Sequence, residues 1–221
     1  MFCADKYINE LRLHLQNRFE NRLRYLGLQG SYLRGEATEQ SDIDIMVVID
    51  GFTIQDMDIY REIINRLDSP ERSCGFICGK EELDSWNPME ICHLLHCTKD
   101  YYGDLTKLVP SYTEEDVRNY VKLSLNNLYH ELCHRYIHSS REQNIVQLPD
   151  TYRSVFFVPQ NLHYLRTCVF PRTKAEMLPL LSGQDKQILE RHFNLCAEGA
   201  YDFDEAFALI FSWCKDTLAA L

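Results

Sequence analysis

The sequence predicts an α/β N-terminal half followed by an all-helical C-terminal half. The α/β half is indicated by residues 43–49, a nearly continuous apolar run of the kind found in strands buried on both faces of a sheet. The helical half is indicated by apolar residues that recur at spacings of three and four after residue 113. A chain of 221 residues can bury a core in each half. With the boundary near Pro110, we expect domains at residues 1–110 and 111–221.

The first half is predicted to alternate helices with strands. Its first helix covers residues 5–21, where apolar side chains at helical spacing are separated by charged ones. Strands flank the turn at Gly30, a second helix ends before Pro70, and residues 73–79 form a third strand. A fourth strand is expected over residues 90–97.

The second half is predicted to be a helical bundle. Thr113 is placed to cap a long helix, and Thr173 begins a capping box with Glu176. A helix over residues 153–167 is expected to bend or break at Pro159, because proline removes a helical hydrogen bond. The core-facing stripes of the first and last helices are Val117, Val121, Leu125, Leu128 and Leu132, and Phe203, Phe207, Ile210 and Cys214.

The charge of the chain favours small cationic partners over long nucleic acids. The formal net charge is -10 and the pI is about 5.3, whereas binding of a nucleic acid polymer requires a basic surface. The N-terminal residues lack the apolar core of a signal peptide, and no run of about eighteen apolar residues occurs. We therefore expect a cytoplasmic protein that does not bind membranes. The nine cysteines are expected to be free, mostly buried thiols, because their number is odd and that compartment is reducing.

Two aspartates at the start of the run at residues 43–49 form the first candidate site. Side chains alternate faces along a strand, so Asp42 and Asp44 project from one face while the isoleucines between and after them project from the other. Two carboxylates this close repel each other unless a cation lies between them. Their hard oxygen atoms suit Mg²⁺ or Mn²⁺, so the pair predicts a divalent metal site.

The turn before these aspartates has the composition of a phosphate site. Gly30 has no Cβ and lets the backbone approach an anion, and Ser31 begins a segment that can form a helix. Backbone N–H groups at a helix start, the Ser31 hydroxyl and the guanidinium of Arg34 are all donors to phosphate oxygens. The sequence therefore places a phosphate site beside a metal site.

Together, Gly30-Ser31, Arg34-Gly35 and Ser41-Asp42-Ile43-Asp44 resemble the signature of the DNA polymerase β-like nucleotidyltransferase superfamily. The likeness is to its small bacterial members, the minimal and the antibiotic-modifying (aminoglycoside- or lincosamide-type) enzymes. It implies a mixed sheet with flanking helices, followed by an all-α bundle that binds substrate or a partner.

The resemblance also implies roles for residues. Asp42 and Asp44 would be the catalytic metal ligands, and Gly30, Ser31, Arg34 and Ser41 would bind the nucleotide. The implied reaction moves a nucleoside monophosphate, AMP if the substrate is ATP rather than another NTP, to a hydroxyl of a small acceptor such as an aminoglycoside-like antibiotic. Mg²⁺ or Mn²⁺ would be the cofactor, Glu131 is a candidate base, and a homodimer remains open.

One feature of the family pattern has no counterpart on the predicted third strand. Related enzymes usually carry a third carboxylate there, but residues 73–79 contain none, and the choice among the flanking acids stays open: Glu71, Glu81, Glu82 and Glu90. A second hypothesis is therefore a catalytically impaired nucleotide-binding module that acts as an antitoxin-like or regulatory partner.

Two other motifs point to zinc. His130-Glu131-x-x-His134 has the spacing of a zinc protease motif, but His138 lies about 12 Å from His130 along the helix axis, too far to complete the site. A cysteine and histidine cluster has spacings that match no common zinc module, which favours buried thiols: Cys74, Cys78, Cys92, His93, His96 and Cys97. Neither motif displaces the nucleotidyltransferase hypothesis.

Overall fold

The computed structural model describes residues 2–197 and 200–221, except for the side chains of residues 196 and 197. The chain divides into two compact units, the first ending at Tyr112 and the second beginning at Thr113. The strands of the first unit are β1 (Leu23–Leu28), β2 (Ile43–Ile49), β3 (Ser73–Gly79) and β4 (Lys99–Tyr102). Its helices are α1 (Ala4–Phe19), α2 (Gly30–Arg34), α3 (Ile54–Ile64), α4 (Lys80–Asp84) and α5 (Pro88–His96).

The four strands form one mixed sheet in the order β3-β2-β1-β4. β1 is antiparallel to both β2 and β4, whereas β3 is parallel to β2 over its whole length. A parallel pair needs a crossover connection, and α3 supplies it between β2 and β3. The predicted mixed sheet with flanking helices is confirmed.

Both faces of β2 are buried, as its apolar run predicts. Ile43, Ile45, Val47 and Ile49 lie in a core with residues of α1 and α3, such as Leu11 and Ile63. Met46 and Val48 lie in a second core on the opposite face, with Tyr25, Leu83, Leu105 and Leu108. By alternation, Asp44 is on the face of Met46 and Val48, at the end of the strand where this second core stops.

The predicted fourth strand at residues 90–97 is wrong, because α5 occupies this segment. Asn87 caps that helix by accepting a hydrogen bond from the Met89 N–H at 3.1 Å, and Pro88 takes the first helical position, where no N–H donor is needed. The fourth strand is instead β4, which pairs with β1.

The second unit is all-helical, which confirms the predicted bundle. Its helices are α6 (Glu114–His138), α7 (Arg141–Ser154), α8 (Phe157–Thr167), α9 (Lys174–Met177), α10 (Gly183–Ala197) and α11 (Phe203–Ala220). The predicted α6 stripe is buried, and the capping boxes at Thr113 and Thr173 are both present. No helix in the described part of the chain is both long and apolar enough to cross a membrane.

The predicted break at Pro159 is misplaced. The helix is interrupted between α7 and α8, at Val155 and Phe156. Pro159 lies in the first turn of α8. The N–H groups of a first helical turn have no partner within the helix, so proline costs little there. A second proline, Pro149, lies inside α7.

The crossover helix α3 is fixed to the sheet by a buried carboxylate. Asp56 is only 2% exposed, closes a capping box with Thr53, and accepts hydrogen bonds from both Nη atoms of Arg22 at 3.1 and 2.7 Å. The bonds from Arg22 and Thr53 hold the pKa of Asp56 below its usual value. Arg22 directly precedes β1, so this contact ties the start of β1 to the start of α3.

We predict that Asp56→Asn lowers the free energy of unfolding by about 2 kcal/mol near neutral pH, because a charged hydrogen-bonding partner of Arg22 is lost. A lowered folded-state pKa stabilises the protein above the unfolded-state pKa, and this contribution disappears as the pH falls through the folded-state pKa. Urea unfolding over a range of acidic to neutral pH should therefore show the difference shrinking in acid. Asp58→Asn, which removes an exposed partner of Arg61 on the same helix, should cost a few tenths of a kcal/mol. Equal losses in the two variants would contradict the anchoring role of Asp56.

Candidate active site

The turn at the end of β1 is built against Asp44. The Gln29 N–H donates to the Asp44 carbonyl at 2.8 Å, which continues the pairing of β1 with β2 by one residue. Gly30 follows with a φ of +67°, and a Cβ at this position would lie 1.7 Å from the Asp44 Oδ2 atom. Only glycine allows this backbone conformation together with this approach to a carboxylate.

The short helix α2 carries the other residues of the predicted phosphate site. Ser31 lies in its first turn, and the Ser31 carbonyl accepts a hydrogen bond from the Glu36 N–H at 2.9 Å after the helix ends. Arg34 lies in its last turn and donates from Nε to the Glu36 carboxylate at 2.8 Å. The charge of Arg34 is close enough to Asp44 to oppose the rise in the pKa of that carboxyl. The structure therefore brings Gly30, Arg34 and Asp44 together.

Ser41 and Arg72 shape the loop that leads into β2. The Ser41 hydroxyl accepts a hydrogen bond from the Thr38 N–H at 2.9 Å. The Arg72 guanidinium donates to the backbone carbonyls of Ser41 at 3.2 Å and Glu39 at 2.6 Å. Ser41 therefore helps to fix the shape of the loop that leads into β2. Sequence reasoning missed Arg72, because a bond from a side chain to a distant backbone leaves no motif.

The two predicted metal ligands are joined by Cys74, which the sequence pattern grouped with other cysteines and histidines and not with the aspartates. Asp42, Asp44 and Cys74 each offer one ligand atom, and these atoms lie within 4.8 Å of one another. In the part of the chain that the structure describes, this is the only such group of three His, Cys, Asp or Glu side chains. Asp42 and Cys74 are exposed and Asp44 is half-buried, so the group is open to solvent on one side.

The strand register explains why Cys74 joins the group. β2 and β3 both have seven residues and pair in parallel from their first residues, which places Asp44 opposite Cys74. Neighbouring residues in a sheet project from the same face, so the thiol lies beside the carboxylate. The equal lengths of the two predicted strands, 43–49 and 73–79, were the signal that could have identified Cys74.

The electrostatics of the group disfavour negative charge when no cation is present. Burial, followed by the charge of Asp42, raises the pKa of the Asp44 carboxyl. Local desolvation of the sulfur, a hydrogen bond with Asp42 and the charge of Asp44 raise the pKa of the Cys74 thiol. A bound cation would offset each of these effects, so the donors present fit a divalent metal ion.

None of the four flanking acids completes this group in the described residues. Glu81 and Glu82 lie in α4, beyond the opposite end of β3, about 20 Å from Cys74 at the rise of a strand. Glu71 lies in the turn before β3, and the Glu90 carboxylate accepts a hydrogen bond from Trp86 at 2.5 Å. None of the four acids therefore joins the two aspartates, and the residue that does is Cys74, which carries a thiol.

The cysteine and histidine cluster does not gather as a metal site in the described residues. Cys78 and Cys92 are buried as predicted, and burial raises their pKa to about 12 and about 11. The prediction of buried thiols is wrong for Cys74, and outside this cluster also for Cys3 and Cys168, because all three are exposed. Burial and the nearby charge of Arg34 lower the pKa of His93 to about 4, so this imidazole is neutral at physiological pH.

The zinc protease motif is a solvent-exposed stretch of α6. His130 and His134 are both exposed, with ring centroids 6.0 Å apart, and they belong to no three-residue ligand group in the described chain. Glu131 forms an ion pair with Arg135 at 2.6 Å. These contacts are those of an ordinary helix surface.

The close approach of Gly30 to Asp44 yields a matched pair of variants. Gly30→Ala and Gly35→Ala both place alanine at a left-handed φ, +67° and +69°, which costs about 1 kcal/mol or more in each case. A Cβ at Gly35 meets no atom within 4 Å, whereas one at Gly30 displaces the Asp44 carboxylate. We predict thermal destabilisation in both variants, larger in Gly30→Ala because of the added clash, but a loss of divalent cation binding, measured by calorimetry, in Gly30→Ala alone. Equal cation binding in the two variants would show that the position of the Asp44 carboxylate does not matter.

Comparisons with known proteins identify a domain in the first part of the chain and a structure with a similar fold. Residues 8–87 match the family model of the nucleotidyltransferase domain. Among solved structures, the chain is similar to a spectinomycin adenyltransferase from Enterococcus faecialis, crystallised with ATP and spectinomycin. The similarity has a TM-score of 0.61 and 16% sequence identity, and it covers 98% of this chain and 100% of that one, which demonstrates a common fold. No curated protein matches the chain. Residues 8–87 therefore match a nucleotidyltransferase domain, and the chain as a whole shares the fold of that adenyltransferase.

Proposed function

We propose that the chain transfers AMP from ATP to a hydroxyl of a small cationic acceptor, an aminoglycoside-like or aminocyclitol antibiotic. The observation that carries the proposal is the contact of the Gly30 turn with Asp44, with Asp42 beside it, inside the part of the chain that matches the nucleotidyltransferase domain. The structural relative that was crystallised with ATP and spectinomycin supports the choice of nucleotide and of acceptor class.

Asp42 and Asp44 are the residues that would hold Mg²⁺ or Mn²⁺. When bound, such an ion neutralises charge on the triphosphate and lowers the pKa of a coordinated hydroxyl. The exposed edge of the group leaves room for phosphate oxygens beside the carboxylates. Because Gly30 has no Cβ, the Asp44 carboxylate can lie directly beside the turn.

The triphosphate would bind along α2 and the loop that follows it. Donors for the phosphate oxygens are the first N–H groups of α2, the Ser31 hydroxyl and the Arg34 guanidinium, which already lies near Asp44. Ser41, held by Thr38 and Arg72, fixes the entry of the chain into Asp42. In the transfer, the acceptor hydroxyl would lose its proton to water and its oxygen would bond to the α-phosphorus, while the bond from that phosphorus to the bridging oxygen breaks and pyrophosphate leaves. The contribution of these residues is the alignment of the two oxygens.

The choice of a cationic acceptor follows from charge. A net charge of -10 attracts a polyamine-like molecule and repels a nucleic acid. We assign acceptor binding to the helical unit and a location in the cytoplasm, where ATP is available and where the eight described cysteines, all free, would stay reduced. Size-exclusion chromatography of the active protein would decide between a monomer and a homodimer.

A nucleotide-binding module without turnover is the second candidate function. It is favoured by one observation, the thiol of Cys74 in the position beside Asp44 where a third carboxylate would complete the metal site.

We predict that the protein releases pyrophosphate from ATP and labels at least one member of an aminocyclitol and aminoglycoside panel in the presence of divalent cations. Asp42→Asn and Asp44→Asn should each lower the rate by about 100-fold or more, because the charge on the transferring phosphate is no longer neutralised. Asp50→Asn, which lies just after the opposite end of β2 and is paired with Arg24, is the control and should keep full activity.

The outcomes separate the candidates. Cation-dependent ATP binding without labelling of any acceptor, measured by calorimetry, would favour the module over the enzyme. Failure of any nucleoside triphosphate to bind in the presence of Mg²⁺, Mn²⁺ or Zn²⁺ would exclude both candidates.

A further inference from the structure

The backbone of β3 is locked against β2 next to Cys74. Gly75 has a φ of +135°, and a Cβ there would lie 2.0 Å from the Ile45 carbonyl oxygen. The two strands pair in parallel over seven residues without a shift in register. Cys74 therefore cannot slide along β2, and its thiol stays on the face of the sheet that carries Asp44.

The three donor atoms lie at distances that one ion can bridge. They are within 4.8 Å of one another, whereas two donors that each lie 2.0–2.3 Å from a tetrahedral zinc ion are about 3.3–3.8 Å apart. Rotation of the exposed Asp42 and Cys74 side chains would bring the three atoms onto one ion. In the described residues, no other histidine, cysteine or acid competes for this position.

The donor set differs in kind from a set of carboxylates. Mg²⁺ prefers oxygen ligands in a near-octahedral arrangement, whereas a thiolate favours softer ions such as Zn²⁺. Catalytic zinc sites have three protein ligands and one open position, and here the three donors would be two carboxylate oxygens and one sulfur. That open position would be available to a phosphate oxygen of the nucleotide.

We propose that Cys74 is the third ligand of the metal site, as a thiolate, and that the site therefore prefers Zn²⁺ or a similar thiophilic divalent cation to Mg²⁺. The proposal rests on the proposed function in assuming that the metal serves a nucleotide. When the ion binds, the sulfur–metal bond forms and the thiol proton is released to solvent.

The test uses cadmium and cobalt, whose bonds to sulfur give charge-transfer absorption. The intact protein, with a non-hydrolysable ATP analogue present, should develop this absorption on addition of either ion. Cys74→Ser should abolish it, and Asp44→Asn should weaken the binding by about 10- to 100-fold. Cys168→Ser, which removes an exposed thiol from the helical unit, should leave it unchanged.

A variant that changes the preference of the site from Zn²⁺ to Mg²⁺ gives a second, independent measurement. Cys74→Asp replaces the sulfur by an oxygen, so calorimetry should show weaker Zn²⁺ binding and tighter Mg²⁺ binding than in the wild-type protein, each by about 10-fold or more. Cys74→Asp also retains a ligand, which separates a metal role from a purely structural role of the thiol.

Two results would overturn the proposal. The first is charge-transfer absorption that persists in Cys74→Ser. The second is Mg²⁺-assisted binding of the ATP analogue without any sulfur–metal absorption in the wild-type protein, which would leave the proposed function standing. If no cation assists nucleotide binding, the proposed function fails as well.

Discussion

The parallel pairing of β2 with β3 is the constraint on which the site depends. It places Cys74 opposite Asp44, and the extra hydrogen bond from Gln29 to the Asp44 carbonyl brings the Gly30 turn to the same point. Three segments that are distant in sequence therefore meet at one end of β2. The apolar contacts of that strand, buried on both faces, supply the rigidity that fixes their spacing.

The position of the acids at this end of the strand disfavours the ionised form of Asp44. Asp44 lies where the core beneath Met46 and Val48 ends, half-buried, with Asp42 beside it. Burial and this like charge both disfavour ionised Asp44, so the folded protein without a cation bears a cost that a solvated surface pair would not. Such a cost is common where a site is arranged for a ligand instead of for stability.

The sequence was sufficient to predict whatever depends on local pattern. The apolar run of β2, the α6 stripe and the helix cap at Thr113 each follow from local pattern alone, and the structure contains all three. The alternation of side chains was also enough to expect Asp42 and Asp44 close together, as their oxygen atoms are. These features are decided by neighbours in sequence.

The features that the sequence could not predict depend on contacts between distant segments. The clamp from Arg72 to the Ser41 and Glu39 carbonyls needs the fold before it exists, and Cys74 becomes relevant only through the register of β3. At residues 90–97 an apolar run was compatible with either a strand or a helix, and the Asn87 cap with Pro88 decided for the helix. A search of β3 for acidic residues alone did not identify Cys74 as the neighbour of Asp44.

The charge of the ligand set shows why a thiol in this position does not require that catalysis be lost. Two carboxylates and a thiolate carry the same formal charge as three carboxylates, so the proposed site would attract a divalent ion and its triphosphate equally well once the thiol proton has left. What changes is the softness of one donor, and with it the identity of the favoured ion. The absence of a third acid on β3 is therefore weak support for an inactive module, because a thiolate at Cys74 would supply the same charge. The decision between enzyme and module depends on which cation is supplied with the nucleotide.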